Sequence, residues 1–111
     1  MQFLALATSD DDFFEGLSRT EVAAGSRAEA LRAWELYRDG TIREIRFRVD
    51  RRDVVILLEA PDERTAHDAL ATLPFVQAGA VTFDLIGLRP YDAWEGLFAP
   101  RRAGKDGGST G

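Results

Sequence analysis

The sequence predicts a single α+β domain of βαββαβ order, and three observations predict it. Two stretches of helix-forming residues, 18–39 and 61–74, separate four short apolar segments. Only a polar turn, Asp50-Arg51-Arg52-Asp53, divides the second segment from the third, which makes those two a hairpin. A chain of 111 residues, 45% hydrophobic and 10% aromatic, holds enough apolar side chain for one core and is too short for two.

Each element follows in order. Residues 2–7 form a compact apolar run without helix caps, bounded by Thr8 and the acidic Ser9-Asp10-Asp11-Asp12, and read as a short buried first strand. Phe13 and Phe14 fall before the first helix, in an expected loop or short turn. That helix spans residues 18–39, with Ala24, Ala28, Leu31 and Glu35 along one line and Ala23, Ala30, Trp34 and Tyr37 along its neighbour. Gly25 weakens its first half, and Gly40 supplies the left-handed stop.

Residues 42–49 switch to period two, with Ile45, Phe47 and Val49 on one side and Glu44, Arg46 and Arg48 on the other. The nearly continuous apolar run at 54–59 suits a central strand. Pro61 then fits the first turn of a second helix, Asp62 and Glu63 favour its positive end, and Leu73-Pro74 closes it. In the fourth strand, residues 81–88, Val81, Phe83 and Leu85 alternate with Thr82, Asp84 and Ile86.

This is the order of the split βαβ, or ferredoxin-like, unit, in which four antiparallel strands carry both helices on one face. The domain occupies residues 1–98, including an aromatic extension at 90–98. There Tyr91, Trp94 and Phe98 recur at roughly helical spacing and are expected to dock on the body or on a partner chain. Residues 99–111 turn to Pro, Arg, Gly, Lys, Asp, Ser and Thr with almost nothing to bury, and read as a disordered polar tail.

The sheet face away from the helices is left open, and a second copy is the expected cover in a chain this short. With Ile45, Phe47, Val81 and Phe83 toward the helices, Glu44, Arg46, Arg48, Thr82 and Asp84 fall on the enclosed side. The product is a homodimer, or a multiple of it, around a small-molecule pocket.

Composition excludes several classes of function. A formal net charge of −5 argues against general nucleic-acid binding, which needs clustered Lys and Arg. The chain has no cysteine, so it offers no disulfide framework, thiolate metal site or cysteine nucleophile. No apolar run approaches the roughly 20 residues of a membrane helix, and the protein is read as cytoplasmic without membrane partners. Asp10-Asp11-Asp12 lacks the glycine and distal glutamate of a calcium loop and reads as solvated. The one histidine, His67, sits mid-helix between Ala66 and Asp68 and reads as a surface residue. No metal or organic cofactor is expected. The sequence carries neither a glycine-rich phosphate loop between strand and helix nor a nucleophile elbow.

The run Glu35-Leu36-Tyr37-Arg38-Asp39-Gly40, the helix carrying His67 and ending Leu73-Pro74-Phe75, and the closing Leu88-Arg89-Pro90 together resemble muconolactone isomerase and its relatives over residues 28–90. The resemblance implies a dimeric α+β barrel, assembled into larger rings in the isomerase, that acts on a small lactone without metal or organic cofactor. The chain departs from that family on the second strand, where Glu44 and Arg46 replace aromatic and histidine residues, and on the first, which reads Ala5-Leu6-Ala7.

Moving a proton between carbons beside a carbonyl requires a base near the C–H and a donor or cation where charge develops on oxygen. Glu44 or Asp84 is the candidate base, and Arg46 or Arg48 the cation. Arg46 of one chain is expected near the partner's Asp84, a geometry that serves a shared site or a purely interfacial ion pair. Thr82 adds a polar group to the pocket. Trp34 and Tyr37 read as core packing, with ligand stacking as their alternative role in substrate binding and the Tyr37 hydroxyl a candidate for the pocket mouth. Three functions remain open: a cofactor-independent isomerase or cyclase on a small oxygenated compound, a non-catalytic metabolite-binding or accessory dimer, and a cofactor-free quinone-forming monooxygenase.

Overall fold

The computed structural model describes residues 1–100. Strand β1 (Gln2–Ser9) leads through a one-turn helix α1 (Asp11–Glu15) into the long helix α2 (Arg19–Arg38). Strands β2 (Ile42–Phe47) and β3 (Val54–Glu59) follow, then helices α3 (Glu63–Leu70) and α4 (Pro74–Gln77), strand β4 (Val81–Leu88) and a final 3-10 helix, Ala93–Leu97. The sheet is antiparallel in the order β2-β3-β1-β4, the ferredoxin-like arrangement.

Local chemistry sets the helix ends. Ser18 and Glu21 form a reciprocal capping box at the start of α2, which satisfies two backbone donors that the first turn leaves open. At the other end the Asp39 carboxylate accepts from the Thr41 backbone, and Gly40 turns the chain at φ +88°, a conformation that only glycine adopts cheaply. Asp62 caps α3 by accepting from the Thr65 N–H at 2.7 Å. Pro61 therefore stands before the cap and outside the first turn. Likewise Pro74 does not close the second helix: α3 stops at Leu70, and Pro74 opens α4, where its missing N–H costs nothing. Phe13 and Phe14, expected in a loop or turn, lie on α1 and stack edge to face with each other, and Phe14 does the same with Phe75.

The core lies between the helices and one sheet face. Phe3, Ala5, Ile56, Leu58 and Ile42 from the strands pack with Leu36, Ala66, Leu70 and Leu73 from the helix layer. A second cluster around Ala7, Ala80 and Val81 lies beneath Phe13, Phe14 and Phe75.

The inward face of α2 differs from the expected one. Val22, Gly25, Glu29, Ala33 and Leu36 turn inward, while Ala23, Ala30, Leu31, Trp34 and Tyr37 stay exposed. Polar anchors explain the rotation. Arg32 Nε donates to Thr72 Oγ1 at 2.9 Å, and the Glu29 carboxylate accepts the Phe75 N–H at 2.9 Å, which ties this side of α2 to the segment after α3. Gly25 belongs to the same face. A Cβ there would meet the Phe75 ring at 3.0 Å, so glycine permits close helix packing where its propensity alone argued weakness.

Strand β2 ends at Phe47, two residues short of expectation, because Arg48 and Asp50 close the hairpin through two side-chain hydrogen bonds, while Asp53 O accepts the Arg48 N–H. The Asp53 carboxylate, buried at 7% exposure, accepts from the Ser9 N–H and Oγ and pairs with Arg51. It draws the end of β1 against the hairpin and lengthens β1 to Ser9. The aromatic extension lies uncovered on its own chain, with Tyr91 69%, Trp94 59%, Leu97 79% and Phe98 83% exposed, so it does not dock on its own body. The expected tail lies outside the described residues from 101 onward.

Candidate functional site

The side chains assigned to a site fall in three places. Four of them, Glu44, Arg46, Thr82 and Asp84, share the sheet face turned away from the helices. Strand pairing fixes this arrangement, since Arg46 lies opposite Val55, Val55 opposite Leu6, and Leu6 opposite Asp84. The next row runs Glu44, Leu57, Leu4, Ile86. A register shift between Ile42 and Glu44 leaves Arg43 as the extra residue, and that bulge puts Glu44 rather than Arg43 on this face.

The face therefore has an apolar centre of Leu4, Leu6, Val55 and Leu57, half-buried, with polar groups along both edges. On the β2 edge Arg46 Nη2 stands 3.6 Å from the Glu44 carboxylate, both well exposed, and an ion pair so solvated contributes well under about 1 kcal/mol. On the β4 edge are Thr82, beside Thr8, and Asp84, beside Leu6. Three inter-strand spacings of about 4.8 Å separate the two edges, so Arg46 and Asp84 of one chain stand roughly 14 Å apart. They cannot contact each other within one copy.

The other three assigned residues lie elsewhere. Arg48 has left the sheet, and its guanidinium is held by Asp50 at 2.6 and 2.8 Å. Trp34 and Tyr37 stack on each other at 5.7 Å between centroids on the outer flank of α2, so neither packs in the core nor opens onto the sheet face. His67 is exposed on α3, 3.8 Å from Glu63 one turn earlier.

Among the described residues no deep cavity encloses the charged rows. A groove of about 590 Å3 opens at the end of the same sheet face, lined by Met1, Gln2, Leu88, Arg89 and Pro90. A shallower one of about 270 Å3 lies over Glu35, Arg38 and Asp39. Of the residues lining the larger groove, Arg89 and Pro90 belong to the closing Leu88-Arg89-Pro90 run but no sequence signal joins them to Met1 and Gln2; strand pairing of Gln2 with Leu88 brings them together. The described residues hold no cluster of three or more His, Cys, Asp or Glu able to bind a metal ion, and no helix among them is long and apolar enough to cross a membrane.

No family model matches the chain, and no curated protein matches it in sequence. Among solved structures, 5-chloro-2-hydroxyhydroquinone dehydrochlorinase (TftG) from Burkholderia phenoliruptrix AC1100, in complex with 2,5-dihydroxybenzoquinone, superposes with a TM-score of 0.61. The match covers 80% of this chain and 94% of that one at 14% identity, a likeness of fold. It agrees with the α+β, ferredoxin-like architecture built above.

Proposed function

We propose that two copies of this chain close face to face on their open sheets and that the enclosed space binds a small oxygenated ring compound on which the protein acts by proton transfer. The observation that carries the reading is the pattern of that face: an apolar centre with Glu44 and Arg46 on one edge and Asp84 in the row of Arg46 on the other. A two-fold axis parallel to the strands turns one sheet over the other without changing height along the strand. Each Arg46 then meets the partner's β4 edge in the row of Asp84, and the two apolar centres cover one another.

In such a pocket Glu44 or Asp84 takes a proton from the carbon beside a carbonyl. The guanidinium of Arg46 stabilises the enolate oxygen, and the same carboxyl returns the proton to another carbon of the conjugated system. The sum is an isomerisation with no net change in oxidation. In a ring closure the enolate carbon instead bonds to a second carbonyl carbon of the same molecule, whose C=O π bond opens to an alkoxide that takes the proton back from the carboxyl. The solved neighbour, named for a small hydroxylated ring substrate and bound to a dihydroxybenzoquinone, supports the class of ligand.

The test begins with native mass spectrometry of the protein incubated with small lactones, phenols and polyketide-like acids. A dimer retaining one ligand per chain is expected. Incubation of that ligand in D2O should then place deuterium at carbon with wild type, and not with Arg46→Ala or with the one of Glu44→Gln and Asp84→Asn that removes the base. Exchange that survives both carboxyl substitutions refutes this assignment. A ligand held without exchange or conversion refutes the catalytic reading in favour of a metabolite-binding dimer. Oxygen uptake with an electron-rich phenol would instead mark a monooxygenase. A monomer at tens of micromolar overturns the enclosed pocket.

A further inference from the structure

Two apolar surfaces of the chain are not used by the sheet-to-sheet pairing just proposed. One is the C-terminal hook, where Tyr91 and Trp94 pack edge to face at 5.2 Å and, with Leu97 and Phe98, remain mostly exposed. The other runs along the edge of the helix layer above β2. Arg32 fixes one side of α2 to Thr72, and at about 100° per residue Ala23, Ala30, Trp34 and Tyr37 fall on the side turned away from that anchor. Since α3 packs toward β4, this second side overlooks β2, where Ile45 and Phe47 point toward the helix layer yet stay 36% and 61% exposed.

We infer that the hook of each chain, residues 91–98, crosses to the partner copy and covers its α2–β2 flank. The inference rests on the face-to-face dimer of the preceding section, because that symmetry supplies the geometry. With the axis parallel to the strands, the partner's β4 lies over β2 at the same height. The hook leaves β4 after Leu88, and Leu88 pairs with Gln2 at the end of the sheet where β2 begins. It emerges under the open face at the end of β2 that begins with Ile42, and by rounding the exposed edge of β2 it reaches the last two turns of α2, which carry Trp34 and Tyr37 on the other side of the sheet. On its own chain the hook starts from the opposite edge of the sheet, three strands away.

Charge and area agree with this occupant. The hook carries Asp92 and Glu95. The receiving flank carries Arg38 at the end of α2 and Arg43 at the β2 bulge, neither paired with a carboxylate among the described residues. Glu35 and Asp39 are also near, but Glu35 is held by Arg32 and Asp39 by Thr41. Aromatic side chains bury roughly 150–250 Å2 each, so the exposed parts of the hook present about 500 Å2. Reciprocal exchange, counting both hooks and both receiving flanks, then buries about 2,000 Å2, enough for a specific and stable interface.

The absence of native cysteine permits a direct test. Tyr37→Cys and Leu97→Cys variants of the full chain are mixed under reducing conditions until subunits exchange, and then oxidised. The expected result is a disulfide between the two kinds of chain, strongly enriched over either self-pair. In parallel, Trp94→Ser with Phe98→Ser should raise the dimer dissociation constant at least tenfold while the far-ultraviolet circular dichroism stays unchanged. Failure of the mixed disulfide, with a dimer still present and its affinity insensitive to the hook substitutions, overturns this inference and leaves the sheet-to-sheet dimer standing. A monomeric protein overturns both.

Discussion

Arg46 and Asp84 occupy one row of the sheet, linked through Val55 and Leu6, yet stand at its opposite edges. A residue pair so placed is self-complementary only between copies, where one two-fold axis makes two identical contacts. The relationship yields a charge-reversal prediction. Arg46→Asp alone and Asp84→Arg alone should each weaken dimerisation by about 10- to 100-fold through like-charge contacts, and the double variant should recover most of the loss. Dilution series by light scattering measure it. Equal weakening by the double variant would place the two groups out of contact.

Asp53 is the buried carboxylate on which the hairpin depends. Its oxygens accept from the Ser9 N–H and hydroxyl and pair with Arg51, so truncation strands several polar groups at once. Asp53→Ala should destabilise the fold by about 2–4 kcal/mol, and Asp53→Asn by less, because the amide oxygen still accepts from Ser9. Urea denaturation followed by tryptophan fluorescence or circular dichroism provides the comparison.

A pH prediction follows from Glu29. Burial raises its pKa above the ordinary carboxylate value, and the hydrogen bond from the Phe75 N–H only partly opposes that rise. The folded state then holds this proton more tightly than the unfolded chain does. Its contribution is complete below the unfolded pKa and is lost as pH rises through the raised folded value. Glu29→Gln keeps an acceptor for Phe75 and removes the charge. Its melting temperature should gain on wild type as pH increases from about 4 to 7, with the difference vanishing at the acid end.

How far the sequence could be read depends on which physical signal dominates each element. Alternation in β4 was unambiguous, and the strand spans residues 81–88 with Thr82 and Asp84 on the open face as the period requires. Glu44 and Arg46 also reached that face, although a bulge at Arg43 was needed to keep them there, and no period-two pattern encodes a bulge. Helix α2 misled because its apolar residues outnumber its inward positions. Its rotation is set by Arg32 to Thr72 and Glu29 to Phe75, contacts 40 and 46 residues apart that no local window contains. Arg48 shares the parity of Arg46 but follows Asp50 into the turn, and Trp34 and Tyr37 follow the rotation of their helix outward. Asp53 looked like one more polar turn residue because its partner, Ser9, lies on another strand.

Gly25 turns that long-range dependence into a last experiment. At a free helical position Gly→Ala stabilises by about 1 kcal/mol, since alanine lowers the backbone entropy of the unfolded chain. Here the added Cβ would stand 3.0 Å from the Phe75 ring, closer than ordinary carbon contact, and Phe75 is held in turn by Phe14 and by the hydrogen bond from its own N–H to Glu29. Gly25→Ala should therefore show little or none of the normal gain, and Gly25→Val should cost about 1–3 kcal/mol through overpacking. Replacing the ring with the smaller side chain of Phe75→Leu relieves the contact. In that background Gly25→Ala should recover its helix-propensity gain of about 1 kcal/mol, a non-additivity that a double-mutant cycle by thermal or urea denaturation resolves. An equal effect of Gly25→Ala in both backgrounds would mean that the ring moves aside at no cost and that the glycine is not a packing requirement.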